Sequence, residues 1–171
     1  MEEEIINRVA NSKLVTVNLE DYYLSGQRQQ IDISAWLYEG FVLREKDFRS
    51  ALKDQDWSSY KNSFVALHCS TDAIIPSWAY LLITTYLQPY AKKVVVGDLR
   101  ELESILYAEK LQQENWSAFN DQMVIIKGCS NLPVPENAYL LLAQYLQPEV
   151  KSLMFGEACS SVPLYKKPKM S

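Results

Sequence analysis

The chain has 171 residues, 17 Lys+Arg against 21 Asp+Glu, and a formal net charge of −4. This acidic balance provides no general field for nucleic acid or anionic lipid, and no apolar run reaches the ~20 residues of a membrane helix. Neither nucleic acid nor a membrane is an expected partner. At 48% hydrophobic and 22% charged, with eleven tyrosines, four tryptophans and five phenylalanines, the composition is that of a folded globular protein.

Taken in chain order, residues 2–10 have helical periodicity, and the stretch is acidic and amphipathic, unlike a secretory signal. The expectation is a cytoplasmic protein with reduced thiols, folded as a single domain over 1–171. Residues 14–19 alternate like a strand, and Gln30-Ile-Asp-Ile reads as another. Ser34 stands as a cap before Trp36 and Leu37, and 45–52 as a short helix. Residues 1–60 are therefore expected to form an irregular α+β segment packed on a sheet built from 61–171.

That second region contains an internal repeat. Cys69-Ser-Thr-Asp-Ala-Ile-Ile-Pro-Ser-Trp-Ala-Tyr and Cys129-Ser-Asn-Leu-Pro-Val-Pro-Glu-Asn-Ala-Tyr each follow a short apolar run. Each leads into an apolar stripe at helical spacing, then Gln-Pro, a second apolar run and a Gly-acid pair. The spacing predicts strands at 64–68, 93–97, 123–127 and 152–156, and helices at 76–88, 99–113 and 136–147. Pro76 and Pro135 suit the first helical residue, and Pro89 and Pro148 stop the helices. Asp98-Leu-Arg-Glu101 has the spacing of a capping box, and Gly97 and Gly156 suit tight turns. Two βαβ units of this kind predict an α/β fold with a mostly parallel sheet and helices on both faces. Lys166, Lys167 and Lys169 read as a solvated tail.

The chemistry-bearing residues are Cys69, Cys129 and Cys159, each followed by a serine. An odd number of cysteines suits a disulfide framework badly. On one parallel sheet all three follow strand ends at one edge, where α/β folds gather ligands. Three thiolates with an open fourth position suit a zinc ion or an iron–sulfur cluster. His68, Asp72 and Glu157 are the candidates for a fourth ligand, and Ser70, Ser130 and Ser160 for hydrogen bonds to sulfur. The counterpart of Cys159 in the first repeat is Arg100, so the cysteines form one set of three. A single histidine and the absence of a Gly-x-Ser-x-Gly elbow argue against a Ser-His-Asp hydrolase, and no phosphate-cradling glycine motif is present.

Leu43-Arg-Glu-Lys-Asp-Phe-Arg, the two repeat motifs and Cys159-Ser-Ser-Val-Pro-Leu-Tyr-Lys together resemble a small bacterial family of proteins of unknown function, domain-of-unknown-function family 2480. The resemblance spans nearly the whole chain and implies no activity. Beside the metal or cluster reading stand two others. One is metal-free thiol-redox or sulfur-transfer chemistry, which needs an activated cysteine. The other is a non-enzymatic interaction module that uses Tyr22, Tyr23, Trp36 and Tyr38 to bind an unknown partner protein or to form a homo-oligomer.

Overall fold

A computed structural model of the chain describes residues 14–128 and 130–168. The helix expected over 2–10, together with Cys129 and Lys169, lies outside the described residues. In chain order the elements are β1 (Leu14–Val17), β2 (Arg28–Asp32), α1 (Glu45–Asp54), β3 (Phe64–His68), α2 (Ser77–Leu87), β4 (Lys93–Val96), α3 (Leu99–Gln112), β5 (Met123–Ile126), α4 (Glu136–Leu146), β6 (Ser152–Glu157) and β7 (Ser160–Lys166). Four short 3-10 turns, at Leu19–Tyr22, Ile33–Trp36, Trp57–Tyr60 and Trp116–Phe119, complete the set. The chain is α/β, as its alternation of apolar runs and helical stripes predicts.

Contacts gather the chain into two compact units, one continuous (Ser25–Ile105) and one interrupted by it (Met1–Leu24 with Leu106–Ser171). In the continuous unit, β2, β3 and β4 form a parallel sheet in that order. In the interrupted unit the order is β1-β5-β6-β7, parallel except for β7, which runs antiparallel to β6. The two repeats therefore build two sheets, which corrects the expectation of one. The reason lies in the first sixty residues. They are less irregular than they read, because they supply a first strand to each repeat: β2 lies beside β3, and β1 beside β5. With that strand each βαβ unit has a layer and covering helix of its own.

Each unit buries its own core. In the continuous unit Val65, Leu67, Phe48, Leu52, Ala79, Ile83 and Leu87 pack together. The last three recur every four residues and so line one stripe of α2. In the interrupted unit Val124, Ile126, Leu111, Ala138, Leu142 and Leu146 play the same parts. Trp57 and Trp116 stand 59 residues apart in the chain and are anchored alike. The Trp57 indole N–H donates to the Leu52 carbonyl at 2.8 Å, and that of Trp116 to Leu111 at 2.9 Å. Trp57 stacks on Tyr86 with ring centroids 5.4 Å apart, and Trp116 on Tyr145 at 5.9 Å. Even the left-handed residues before the central strands correspond, Asn62 at φ 60° and Asp121 at φ 56°.

Several smaller expectations shift. Pro76 and Pro135 are N-caps with extended backbone, not first helical residues, and their carbonyls accept from Ala79 and Ala138. The cap of the turn after β2 is Asp32, which accepts the Ser34 N–H at 3.0 Å, so Ser34 is not the cap. Residues 160–166 form a strand, so Lys166 is not in a loose tail, and the Lys167 N–H donates to the Lys151 carbonyl. Pro163 conceals that strand in the sequence. Proline is tolerated there because β7 is an edge strand and its register shifts beside Met154. Of the aromatics proposed as a partner surface, Tyr22, Tyr23 and Trp36 pack against the cores, and Tyr38 is exposed.

Candidate functional site

The candidate site of the continuous unit lies at the carboxyl end of its sheet. β3 ends at His68, in register with Asp32 at the end of β2, and Cys69-Ser-Thr follows directly. The Ser70 N–H donates to Asp32 Oδ1 at 3.1 Å, and the Ser70 and Ser34 hydroxyls lie 3.0 Å apart. On the other side of the loop the Thr71 hydroxyl donates to the Gly40 carbonyl at 2.6 Å. Cys69 Sγ lies 3.4 Å from Thr71 Oγ1. Since the single Thr71 proton points to Gly40, the thiol is the donor in that contact. Cys69 is half-buried and packs, like Ala73, Ile75 and Tyr80, against the core of this unit.

The electrostatics follow from these bonds. Burial alone would raise the Asp32 carboxyl, but hydrogen bonds from the Ser70 hydroxyl, the Ser34 N–H and hydroxyl, and the Ser70 N–H hold it well below its ordinary value. Tyr80 is raised, first by burial and then by charge at Cys69, which places its phenol in the field of the sulfur. Asp98 is lowered chiefly by the Glu101 N–H, with the Arg100 N–H and the charges of Arg100 and His68 adding. It caps α3 as the sequence predicts: Asp98 Oδ1 accepts from Arg100 and Glu101, and Glu101 reaches back to the Asp98 N–H at 2.7 Å.

In the interrupted unit the same strand end is built differently. Asn18 occupies the cap position that Asp32 holds in the other unit, accepting the Glu20 N–H at 3.1 Å. The carboxylate is now Glu20. Its Oε1 accepts the Ser130 hydroxyl at 3.0 Å, the Leu132 N–H at 3.2 Å and the Asn131 N–H. The Asn131 N–H and the Ser130 hydroxyl are the main reasons that the Glu20 carboxyl is held below its ordinary value. Asp-x-Ser in one unit and Asn-x-Glu in the other therefore perform one task with the carboxylate two residues displaced.

Cys69 follows β3 in one sheet. Cys159 sits in the two-residue turn between β6 and β7 of the other, so the single shared edge expected for the thiols is not formed. Both are free thiols, half-buried at Cys69 and exposed at Cys159. Among the described residues, no three His, Cys, Asp or Glu side chains group as metal ligands would. Cys129 lies outside those residues. Glu157 closes β6, exposed and in register with Ser160. Asp72 is exposed and lines an open apolar groove of about 620 Å³ with Phe41, Val42, Ile74, Pro76 and Trp78. The hydroxyls of Ser70 and Ser130 are engaged by the carboxylate loops described above.

Sequence reasoning missed Asp32, Glu20, Thr71 and Tyr80. The signal available for the first two was Asx chemistry directly after a strand, Asn18-Leu-Glu and Asp32-Ile-Ser. Nothing in the spacing announces Thr71, while Tyr80 shares its repeat position with Tyr139 and reads from the sequence as a core residue.

No helix among the described residues is long and apolar enough to cross a membrane. Residues 3–167 match the model of the family described as Protein of unknown function (DUF2480), and the chain belongs to that family. Searches of curated proteins and of solved structures find no match.

Proposed function

We propose that this member of the DUF2480 family uses the thiols of Cys69, Cys129 and Cys159 as ligands for a zinc ion or an iron–sulfur cluster. The observation that carries this reading is positional: each cysteine follows the carboxyl end of a parallel strand in the chain, Cys69 after β3 in one sheet, Cys129 and Cys159 after β5 and β6 in the other. Loops there gather ligands in α/β folds. Ile126 pairs with Phe155 across β5 and β6. Cys129 and Cys159 stand three and four residues beyond that pair in the chain, after strands about 4.8 Å apart. Glu157, two residues before Cys159, is a hard oxygen ligand that suits zinc beside thiolates. Cys69 is the third thiol of the reading, and metal binding there would displace the proton that the thiol donates to Thr71. His68 and Asp72 are the remaining candidates for a fourth ligand.

The test is elemental analysis of full-length protein purified without oxygen, beside a titration of reactive thiols. Stoichiometric zinc, or iron with sulfide, is expected, with thiols that titrate freely only after a chelator is added. Cys69→Ser, Cys129→Ser and Cys159→Ser should each lower the metal content while leaving a folded chain. A metal-free protein with all three thiols titrating at once overturns the reading. In that case, fast alkylation of one cysteine alone would leave metal-free thiol chemistry in its place.

A further inference from the structure

We infer that Asp32 and Glu20 are positioning residues for the cysteine loops, and that the two positions at which a unit carries this carboxylate are interchangeable. The inference rests on the reading that the thiols are the working groups, but its test does not need a metal.

The argument begins with the loop backbone. A cysteine that follows a strand is placed by the strand only as far as the last ladder hydrogen bond, and beyond it the loop needs other anchors. In the continuous unit these anchors are the two residues directly after Cys69. Asp32 Oδ1 takes the N–H of Ser70, the residue after Cys69, at 3.1 Å, while Thr71 is fixed to Gly40 at 2.6 Å. The same carboxylate oxygen takes the Ser34 N–H at 3.0 Å, so the loop is tied to the turn after β2. In the interrupted unit Glu20 Oε1 receives the Ser130 hydroxyl and the N–H groups of Asn131 and Leu132. An amide, Asn18, stands at the Asp32 position there, and a hydroxyl, Ser34, stands at the Glu20 position of the other unit. Each unit thus spends one carboxylate on one Cys-Ser loop, and never two. Charge-assisted hydrogen bonds to backbone N–H are the strong class, so these are the bonds whose loss the loop would feel most. A purely local turn stabiliser would have no reason to reach across to the neighbouring strand's loop in both units.

The experiment is site-resolved alkylation with iodoacetamide on full-length, reduced, chelator-treated protein, each cysteine read by peptide mass spectrometry. Asp32→Asn should speed alkylation of Cys69 by about tenfold, the equivalent of one charge-assisted bond, and leave Cys129 and Cys159 unchanged. Glu20→Gln should do the converse, speeding Cys129 and sparing Cys69. The decisive variant is the double exchange Asp32→Asn with Ser34→Glu, which transplants the other unit's arrangement and should restore slow Cys69 alkylation. Circular dichroism melts confirm that each variant is folded at the assay temperature. Should Asp32→Asn fail to fold, Ser70→Ala, at an exposed position, removes the hydroxyl partner of the same carboxylate while keeping the Ser70 N–H bond, and should speed Cys69 alkylation by less than tenfold. An unchanged Cys69 rate in a folded variant, equal acceleration of all three cysteines, or no restoration by the double exchange overturns the inference. Zinc and iron contents, measured on separate untreated samples, report on the metal reading independently of these rates.

Discussion

The two repeats agree most closely in their interiors and part at their last strands. After β4 the chain passes Gly97 at φ 135° and enters α3; at the matching point Gly156, at φ 123°, lies inside β6 and the chain doubles back as β7. The same glycine-acid pair serves both exits, and the residues after it decide which is taken. Asp98-Leu-Arg-Glu101 satisfies the first N–H groups of a helix on both sides of the cap. Glu157-Ala-Cys-Ser offers no such box, and its chain pairs with β6 instead. The difference has a chemical result. One exit buries its acidic residue's hydrogen-bonding capacity in a helix start, while the other carries an exposed carboxylate and an exposed thiol on a hairpin.

The strongest way to break the equivalence of the two interiors is at the tryptophans. Each holds its unit together by a stacked tyrosine and an indole bond to the preceding helix. Trp57→Ala and Trp116→Ala should each cost about 3–5 kcal/mol in urea unfolding, the range for deleting a buried aromatic ring. Trp57→Phe and Trp116→Phe keep most of the ring but leave the Leu52 or Leu111 carbonyl without its donor, at about 1–3 kcal/mol. A large cost at one site and none at the other would show that the interiors resemble one another in outline only.

The interiors were also the legible part of the sequence. The apolar runs of β3 and β5, the stripes of α2 and α4, and the Asp98 box all announce themselves through periodicity or capping chemistry. The separation into two sheets did not, because strand order depends on which neighbour a strand pairs with, and β1 and β2 carry weak patterns of only four and five residues. β7 was hidden by Pro163. At the candidate site the cysteines were visible and their anchors were not. Asp32 and Glu20 reach Ser70 and Ser130 across 38 and 110 residues of chain, a relation that no local spacing encodes.

The exits themselves can be compared through their glycines. A Cβ at Gly156 would lie 2.6 Å from the Ser160 carbonyl oxygen, which is backbone of the paired strand and cannot move without opening the hairpin. Gly156→Ala should therefore cost about 1–3 kcal/mol from strain at positive φ and from lost pairing. At Gly97 the new methyl meets the Glu101 side chain, whose Cβ lies 2.8 Å away. The Glu101 carboxylate can swing away but its Cβ moves only with the start of α3, so Gly97→Ala should cost less than Gly156→Ala only as far as that helix start can shift, and should show its loss as fraying of α3. Urea unfolding ranks the two, and amide hydrogen exchange at Arg100, Glu101 and Leu102 reports the fraying. A larger loss at Gly97 would mean that the capping box, and not the hairpin, is the stiffer exit.

The smallest effect expected is a pH dependence that separates the carboxylate loops from the rest. The Asp32 carboxyl titrates well below its ordinary 3.8 in the folded chain, because the Ser34 and Ser70 hydrogen bonds outweigh the effect of burial. A group whose folded pKa is depressed binds fewer protons in the native state than in the unfolded one near its ordinary pKa. Its stabilisation is therefore complete above that ordinary value and is lost as pH falls through it towards the folded pKa. Asp32→Asn removes this contribution at neutral pH. The stability gap between wild type and variant, measured by urea unfolding in reductant and chelator, should be widest above about pH 5 and should narrow steadily towards about pH 2. Glu20, lowered from 4.5 by the Asn131 and Ser130 bonds, should give Glu20→Gln a gap of the same sign that begins to narrow at slightly higher pH. A gap that stays constant with pH in either variant would mean that the carboxylate contributes shape to its loop, and that its charge contributes nothing.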